Sequence, residues 1–354
     1  MMVPDYQVLL SGITMAKIVA YRKSLLASFH PGKALEQSLR GNLSEEQSEQ
    51  EFLSHLLNTK RPRIFAESEV LGDGSDWTLE ELGILGDISI AVPVTVNDNG
   101  LHANPLVFQP PFQATLIYAV GALLQNSRNH TPADWEELTT DGKIDLEGHY
   151  RLFERRLLPV FKYVNQDAKE KGRQAFLTLT AMGCGHFAGP FRGQLGEVLK
   201  NTLIRILKTH HEGLSNLKAV YYDPYRECQN ERHQIGGISF LVRPLTQGNE
   251  DKPQLCPPDH YQDADDDFSD CDLYSIVAWD HVSWPGNDFY VGSRATDDGV
   301  KAAATDSMWV MTGVEGEYDP QVNKYQPPAP YQTWEEVVLK NDLRMSTDDN
   351  LLLY

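Results

Sequence analysis

What most constrains this chain is one junction near its centre. Gln174-Ala175-Phe176-Leu177-Thr178-Leu179-Thr180-Ala181-Met182 has the apolar, β-branched pattern of a buried strand. The turn Gly183-Cys184-Gly185-His186-Phe187-Ala188-Gly189 follows at once. A helix is then predicted from about Gly193 to Thr209, because Leu195, Val198, Leu199, Leu203, Ile206 and Leu207 fall at i, i+3, i+4 spacing. A buried strand that feeds a helix through glycines belongs to a layered α/β architecture, with ligands at the carboxyl ends of the strands. Such a turn presents backbone N–H groups at a helix N-terminus, a setting that suits phosphate. The spacing G-x-G-x-x-x-G is one residue longer than the dinucleotide fingerprint, and no Walker lysine follows. Loop composition alone fits an empty strand-to-helix connection equally well. Cys184 and His186, two apart on this turn, read as bystanders rather than a nucleophile pair.

The flanking sequence supports the same fold class. Residues 86–96 are rich in β-branched side chains and read as a strand that ends in the turn Asn97-Asp98-Asn99-Gly100, with Pro93 marking an irregularity or an edge. Further strands are predicted at 217–222, 238–245 and 273–279, and another apolar element at 113–125. A long helix is predicted at 145–172, one at 299–311 and a short one at 334–339. Residues 1–60 read as helical from the stripe Leu9, Ile13, Ile18, Leu25 and Leu26, with Ser44-Glu45-Glu46-Gln47 as a helix start. Residues 61–85, with Gly72, Gly74 and Gly83, read as loops and a short strand. Residues 246–272, with Asp263, Asp265, Asp266 and Asp267, read as an exposed acidic insertion. That segment lacks the sixth-position glycine and closing glutamate of a calcium loop. The expected organisation is a helical N-terminal extension over 1–80, a domain over 81–320 that carries the insertion, and a tail over 321–354 packed on it.

Charge narrows the partners. The formal net charge is −19, which argues against nucleic-acid binding and suits a cationic partner such as one presenting arginine. It does not argue against a nucleotide, because backbone N–H groups can hold a diphosphate whatever the net charge. No apolar run approaches the roughly 18–20 residues of a membrane helix, and the first residues lack the plan of a signal peptide. Cys184, Cys228, Cys256 and Cys271 form no CxxC pair, so reduced thiols in a cytoplasmic setting are expected, with no metal and no cofactor. Secretion by other signals stays open, and a monomer is expected.

The second unusual segment runs from Trp279-Asp280-His281-Val282-Ser283-Trp284-Pro285-Gly286-Asn287-Asp288 to Arg294-Ala295-Thr296-Asp297-Asp298-Gly299. It leaves a strand and enters a helix. Capping by Asp298 or Asp297, and an Asp288–Arg294 ion pair, would account for single acids. They account less easily for all of them beside a phosphate-type loop.

On these residues the chain resembles the MavL-type macrodomains of bacterial effectors. The run Met182 to Phe191 looks like the phosphate loop of a divergent macrodomain, and the runs 284–289 and 292–299 look like that family's aspartate loop. The likeness spans about residues 85–320. It implies a macrodomain-like mixed sheet flanked by helices, ADP-ribose binding, and removal of ADP-ribose from protein arginine, with ubiquitin a candidate carrier and a host-cell cytosol a candidate destination. By motif position it implies Asp280, Asp288 and Asp298 as catalytic residues. It implies Gly183, Cys184, Gly185, His186, Phe187, Ala188 and Gly189, with Asn99, Gly286, Asn287 and Asp297, as ligand-binding residues. The turn at 97–100 departs from the Asn-Ala-Ala-Asn style of ordinary macrodomains, which puts their catalysis in doubt here. Two alternatives are a non-catalytic reader of ADP-ribose and a hydrolase of free ADP-ribose derivatives. Asp87, at the start of the 86–96 strand, is a weak candidate for holding adenine.

Overall fold

The computed structural model describes residues 5–41, 43–63, 76–126 and 131–354. The N-terminal part holds β1 (Gln7–Leu10), α1 (Gly12–Leu26), α2 (Lys33–Leu39), α3 (Glu49–Leu57) and α4 (Leu79–Gly86). Then come β2 (Ser89–Asp98), β3 (Val107–Val120), α5 (Trp135–Leu138), the small pair β4 (Thr139–Thr140) and β5 (Lys143–Ile144), and α6 (Leu146–Glu170). The centre is β6 (Gln174–Thr180), α7 (Leu195–His210), β7 (Leu217–Asp223), β8 (Glu231–Ile235) and β9 (Ile238–Val242). The C-terminal part is β10 (Cys271–Trp279), α8 (Asp297–Ala304), α9 (Ser307–Thr312), β11 (Glu317–Asp319), β12 (Lys324–Gln326), α10 (Trp334–Lys340) and β13 (Leu351–Leu353).

Nine strands form one mixed sheet in the order β13-β1-β2-β3-β10-β6-β7-β9-β8. β3, β10, β6, β7 and β9 run parallel, so their carboxyl ends share one edge. Alternation along the strands feeds two apolar cores. Ile90, Val92, Val94 and Val96 of β2 enter one core with Leu116 and Tyr118 of β3, while Ala91, Ile117 and Ala119 enter the other. Helices α1 to α4 and α8 to α10 cover the first face, and α6 and α7 the second. The result is the mixed sheet flanked by helices that the sequence implied.

Several local readings differ. Residues 1–60 are helical only in part: β1 pairs with β2 and with β13, so both terminal segments enter the sheet. The helix start lies at Ser48 rather than Ser44, because Ser48 and Glu51 form a reciprocal capping box. Residues 79–86 are helix, capped by Thr78 with Glu81 in the same way; Gly72 and Gly74 lie outside the described residues. Pro93 falls between the last β1 partner of β2, at Ala91, and the contacts of Thr95 and Val96 with residues 305 and 306, so its missing N–H is tolerated inside the sheet. The segment 246–272 carries most of its acids at the surface, as expected, but is anchored by Leu255, Cys256, Tyr261 and Phe268, which are core residues. Of its acids, Asp266 pairs with Arg232 and Asp263 with Arg243.

A buried ion chain ties the layers together. Asp87 accepts from Arg155 Nε at 2.6 Å and from Arg156 Nε at 3.2 Å. Arg156 also donates to Asp134 at 2.7 Å and to the Gly121 carbonyl at 2.8 Å. Asp87 therefore does not hold a base: burial opposes its charge, but the guanidinium groups of Arg156 and Arg155 win and hold its carboxyl below the usual range. Removing one member strands the others in a dry interior. Arg156→Ala should cost about 3–5 kcal/mol of unfolding free energy by urea titration. Lys17, the half-exposed partner of Asp87, should cost no more than about 1 kcal/mol as alanine. Equal losses would refute the buried chain as the anchor.

Candidate functional site

A cleft of about 770 Å³ opens where the parallel strands end, within the roughly 300–1,000 Å³ of small-molecule sites. Its walls are residues 99–102 after β2, Thr180, Ala181, Cys184 and Gly185 after β6, Arg192 and Gly193, 223–227 after β7, Leu245, 253–255, and Asp297, Val300 and Lys301 of α8. Asn99, Cys184, Gly185 and Asp297, expected as binding residues, are brought together here.

The glycine turn divides into two functions. Gly183 has φ +75°, and a Cβ there would lie 2.5 Å from the Ala122 backbone nitrogen. Gly189 has φ +56°, and its Cβ would meet the Leu124 carbonyl at 2.7 Å. These two glycines let the turn lie backbone to backbone against the segment after β3, and Leu124 N–H donates to the Phe187 carbonyl at 2.8 Å. A Cβ on Gly185 would meet nothing, and Gly185 faces the cleft. His186 to Phe191 form a 3₁₀ turn that leads to α7, so His186, Phe187 and Ala188 follow the cleft wall rather than line it. Cys184 is buried, which pushes its thiol well above the ordinary range; it is unsuited to nucleophilic attack.

The three catalytic candidates cluster around the start of α8. Asp280 directly follows β10 and is buried. Its oxygens accept from Val282 N–H and Ser283 N–H at 2.8 Å each, from Ser283 Oγ at 2.6 Å and from Asn287 Nδ2 at 3.3 Å. Asp288 is half-buried and accepts from the N–H groups of Ala295 at 3.0 Å and Thr296 at 3.1 Å. Asp298 is buried, and its Oδ1 lies 2.7 Å from Thr296 Oγ1. Burial first, then the negative charges of Asp280, Asp288 and Asp297, push the Asp298 carboxyl well above the ordinary aspartate range and outweigh the Thr296 hydroxyl, which as a donor would lower it. None of the three lines the cleft; Asp297, next along the chain from Asp298, does.

The bland roles expected for these acids fall to other residues. Thr296, not Asp297 or Asp298, is the N-cap: its Oγ1 accepts from Gly299 N–H at 3.2 Å. Arg294 pairs with Asp98, at 2.6 and 2.9 Å, and not with Asp288. Asp297 accepts from Ala278 N–H at 2.8 Å and faces Lys301 Nζ at 3.3 Å. Two glycines make the packing possible. A side chain at Gly299 would run into the Asp288 carboxylate, and Gly286, at φ +94°, leaves room for Ala302 and Met308 of the overlying helices.

Two buried lysines escaped the sequence reading. Lys301 lines the cleft and donates to the Ile276 carbonyl at 2.7 Å and to Gln254 Oε1 at 2.8 Å. Lys60 donates to the His281 carbonyl at 2.7 Å and lies 3.9 Å from the Trp279 ring centroid. Burial lowers its ammonium to about 7, against the opposing pull of Asp280. Its neighbour Arg61 forms a β-bridge with Ser283, so the N-terminal segment braces the aspartate loop. Neither lysine stands in a motif that would announce it.

One family model, described as macrodomain effector MavL, matches residues 6–331. Among curated proteins none matches the chain.

The raised Asp298 value has a signed consequence. A folded-state acid with a raised pKa keeps its proton after the unfolded chain, with a value of about 3.9, has released it. Its contribution is full below that value and is lost as pH rises through the folded one. Asp298→Asn removes the titration, so the variant's melting temperature should gain on that of the natural chain between about pH 5 and pH 8. Parallel melting curves across that range would contradict the assigned direction. Gly299→Ala should cost about 1–3 kcal/mol through overpacking against Asp288, read by chemical denaturation.

Proposed function

The chain belongs to the MavL macrodomain effector family, and on that premise we propose that it removes ADP-ribose from modified protein arginine. Membership brings ADP-ribose chemistry to the cleft. The observation that carries hydrolysis is the meeting of Asp288 and Asp298 on one hydroxyl at the start of α8, one residue from the cleft wall.

The scissile bond joins ribose C1″ to an arginine guanidinium. One carboxylate holds the guanidinium by charge-assisted hydrogen bonds. Another takes a proton from the attacking water as the C1″–N bond breaks and stabilises the positive charge that builds at C1″. The departing guanidine regains a proton and leaves as guanidinium, so the water is divided between sugar and arginine. Asp288 and Asp298 are assigned to the reacting centre. Asp280 contributes from the ribose or guanidinium shell, through the loop its four hydrogen bonds shape. Gly185 and its neighbours on the turn approach the diphosphate. The net charge of −19 suits a carrier that presents arginine, with ubiquitin the first to try. Release into a host-cell cytosol accords with the effector family. Among the described residues no helix is long and apolar enough to cross a membrane.

One observation favours a reader that binds without cleaving: Asp280 and Asp298 are both buried, as in a site shaped to hold rather than to react. Turnover of an arginine-ADP-ribosylated protein, run beside calorimetry with ADP-ribose, separates the two. Asp288→Ala and Asp298→Ala should each lower release by about 10²-fold or more, the scale of a general acid or base, while the far-ultraviolet spectrum stays native. Natural activity in both variants would end the assignment, and tight binding with no release by the natural chain would establish the reader.

A further inference from the structure

The geometry points to Thr296 as the positioning residue that assigns one proton between the two central carboxyl groups: it accepts a hydrogen bond from Asp298 and gives its own hydrogen to Asp288. The assignment deepens the hydrolase reading and rests on it for its catalytic meaning, though not for its chemistry.

A hydroxyl has one hydrogen and two lone pairs. Thr296 Oγ1 has three close partners: Gly299 N–H at 3.2 Å, Asp288 Oδ1 at 2.8 Å and Asp298 Oδ1 at 2.7 Å. The Gly299 N–H occupies one lone pair. If both carboxyl groups were ionised, a single hydrogen would have to serve two anions, and one of them would meet an oxygen lone pair at hydrogen-bond distance. One bound proton removes the conflict: the hydroxyl then accepts twice, donates once and has every position filled.

The proton belongs on Asp298. Asp288 already takes two backbone N–H groups on Oδ2, an arrangement that suits an anion at a helix N-terminus. Asp298 lies deeper. The charged groups that act on it, Asp280 after β10, Asp288 from the preceding turn and Asp297 on α8, are all acidic and raise its carboxyl; the Thr296 hydroxyl would lower it as a donor, and that opposing contribution is outweighed. Tyr118 from β3 and Tyr290 from the 3₁₀ turn at 287–291 also face it. The nearby cations are engaged elsewhere, Lys301 with Asp297 and Lys60 with the His281 carbonyl. Burial penalises the charged form of Asp298 as well.

The two carboxyl groups therefore hold different tasks before any ligand arrives. Asp298 carries the proton, held on Thr296 Oγ1 until a departing nitrogen replaces that acceptor, and Asp288 is the acceptor, suited to water or guanidinium. Thr296 keeps them from exchanging roles.

The sign of one shift tests this. Infrared titration of the full chain, with Asp298→Asn subtracted, gives the midpoint of the Asp298 carboxyl. Thr296→Val deletes the acceptor that favours protonated Asp298, so the midpoint should fall; Thr296→Ser should leave it in place. A rise in the valine variant would show that the hydroxyl donates to an ionised Asp298, and an unmoved midpoint would show no coupling; either overturns the assignment. Thr296→Ala should shift the midpoint in the same direction and replaces the valine variant if that chain does not fold. In turnover, the valine variant should lose about a hundredfold in kcat, with the alkaline limb of its pH profile moved to lower pH and the serine variant restored. The infrared readout needs no substrate. A midpoint that falls in a chain that releases no ADP-ribose would therefore sink the hydrolase reading and leave the proton assignment standing.

Discussion

The fully buried guanidinium of Arg156 is the interaction on which the rest of the architecture hangs. From α6 it reaches Asp87 at the α4–β2 junction, Asp134 just before α5, and the Gly121 carbonyl at the end of β3. Asp134 in turn accepts from Leu123 N–H at 2.8 Å. The segment 121–124 is thus clamped from one side by ions and from the other by the glycine turn, whose Gly183 and Gly189 lie against its backbone. An uncompensated charge in this interior would cost several kcal/mol. The clamp therefore sets where the carboxyl ends of β3 and β6 stand, and with them the cleft.

Much of the sheet was legible because its central strands are continuous apolar runs and its two long helices keep a clean 3.6-residue stripe. Leu177 and Leu179 face one core and Phe176 the other, and the turn after them could hardly lie elsewhere. The terminal strands were not legible. Gln7–Leu10 and Leu351–Leu353 are short: β1 is held between β2 and β13, and β13 pairs with β1 across nearly the whole chain. The helix expected over 299–311 breaks in two because Thr305 leaves helical geometry and bridges to Val96 of β2, a tertiary contact that local pattern does not carry. The acidic stretch 246–272 read as solvent-exposed by composition, but its few apolar residues, Leu255, Tyr261 and Phe268, are the ones that dock.

The site shows the same division. The acids of the aspartate loop stand out in the sequence, but their partners do not. Thr296 carries no role in the sequence motif, yet it is the cap of α8 and the hydroxyl that two carboxyl groups share. Lys60 lies more than two hundred residues from the loop it braces. Asp98, in the turn at 97–100, announces no role of its own in the sequence, yet it removes Arg294 from the acids. Without that pairing, Arg294 would be free to neutralise Asp288, as the spacing alone suggested.

A chain with a net charge of −19 has little reason on general grounds to gather further acids at one point. The cost is met locally. Backbone N–H groups of residues 282, 283, 295 and 296 serve Asp280 and Asp288, and the N-terminus of α8 adds a favourable dipole worth about 0.3–1 kcal/mol per charge. Among the described residues Asp298 has the shared hydroxyl as its hydrogen-bond partner, and its burial favours retaining a proton instead. A proton held there is mobile in a way that a paired charge is not. On the proposed function, the arrangement would convert an electrostatic liability into a distinction between donor and acceptor, as cleavage of a bond between a sugar and a cation requires.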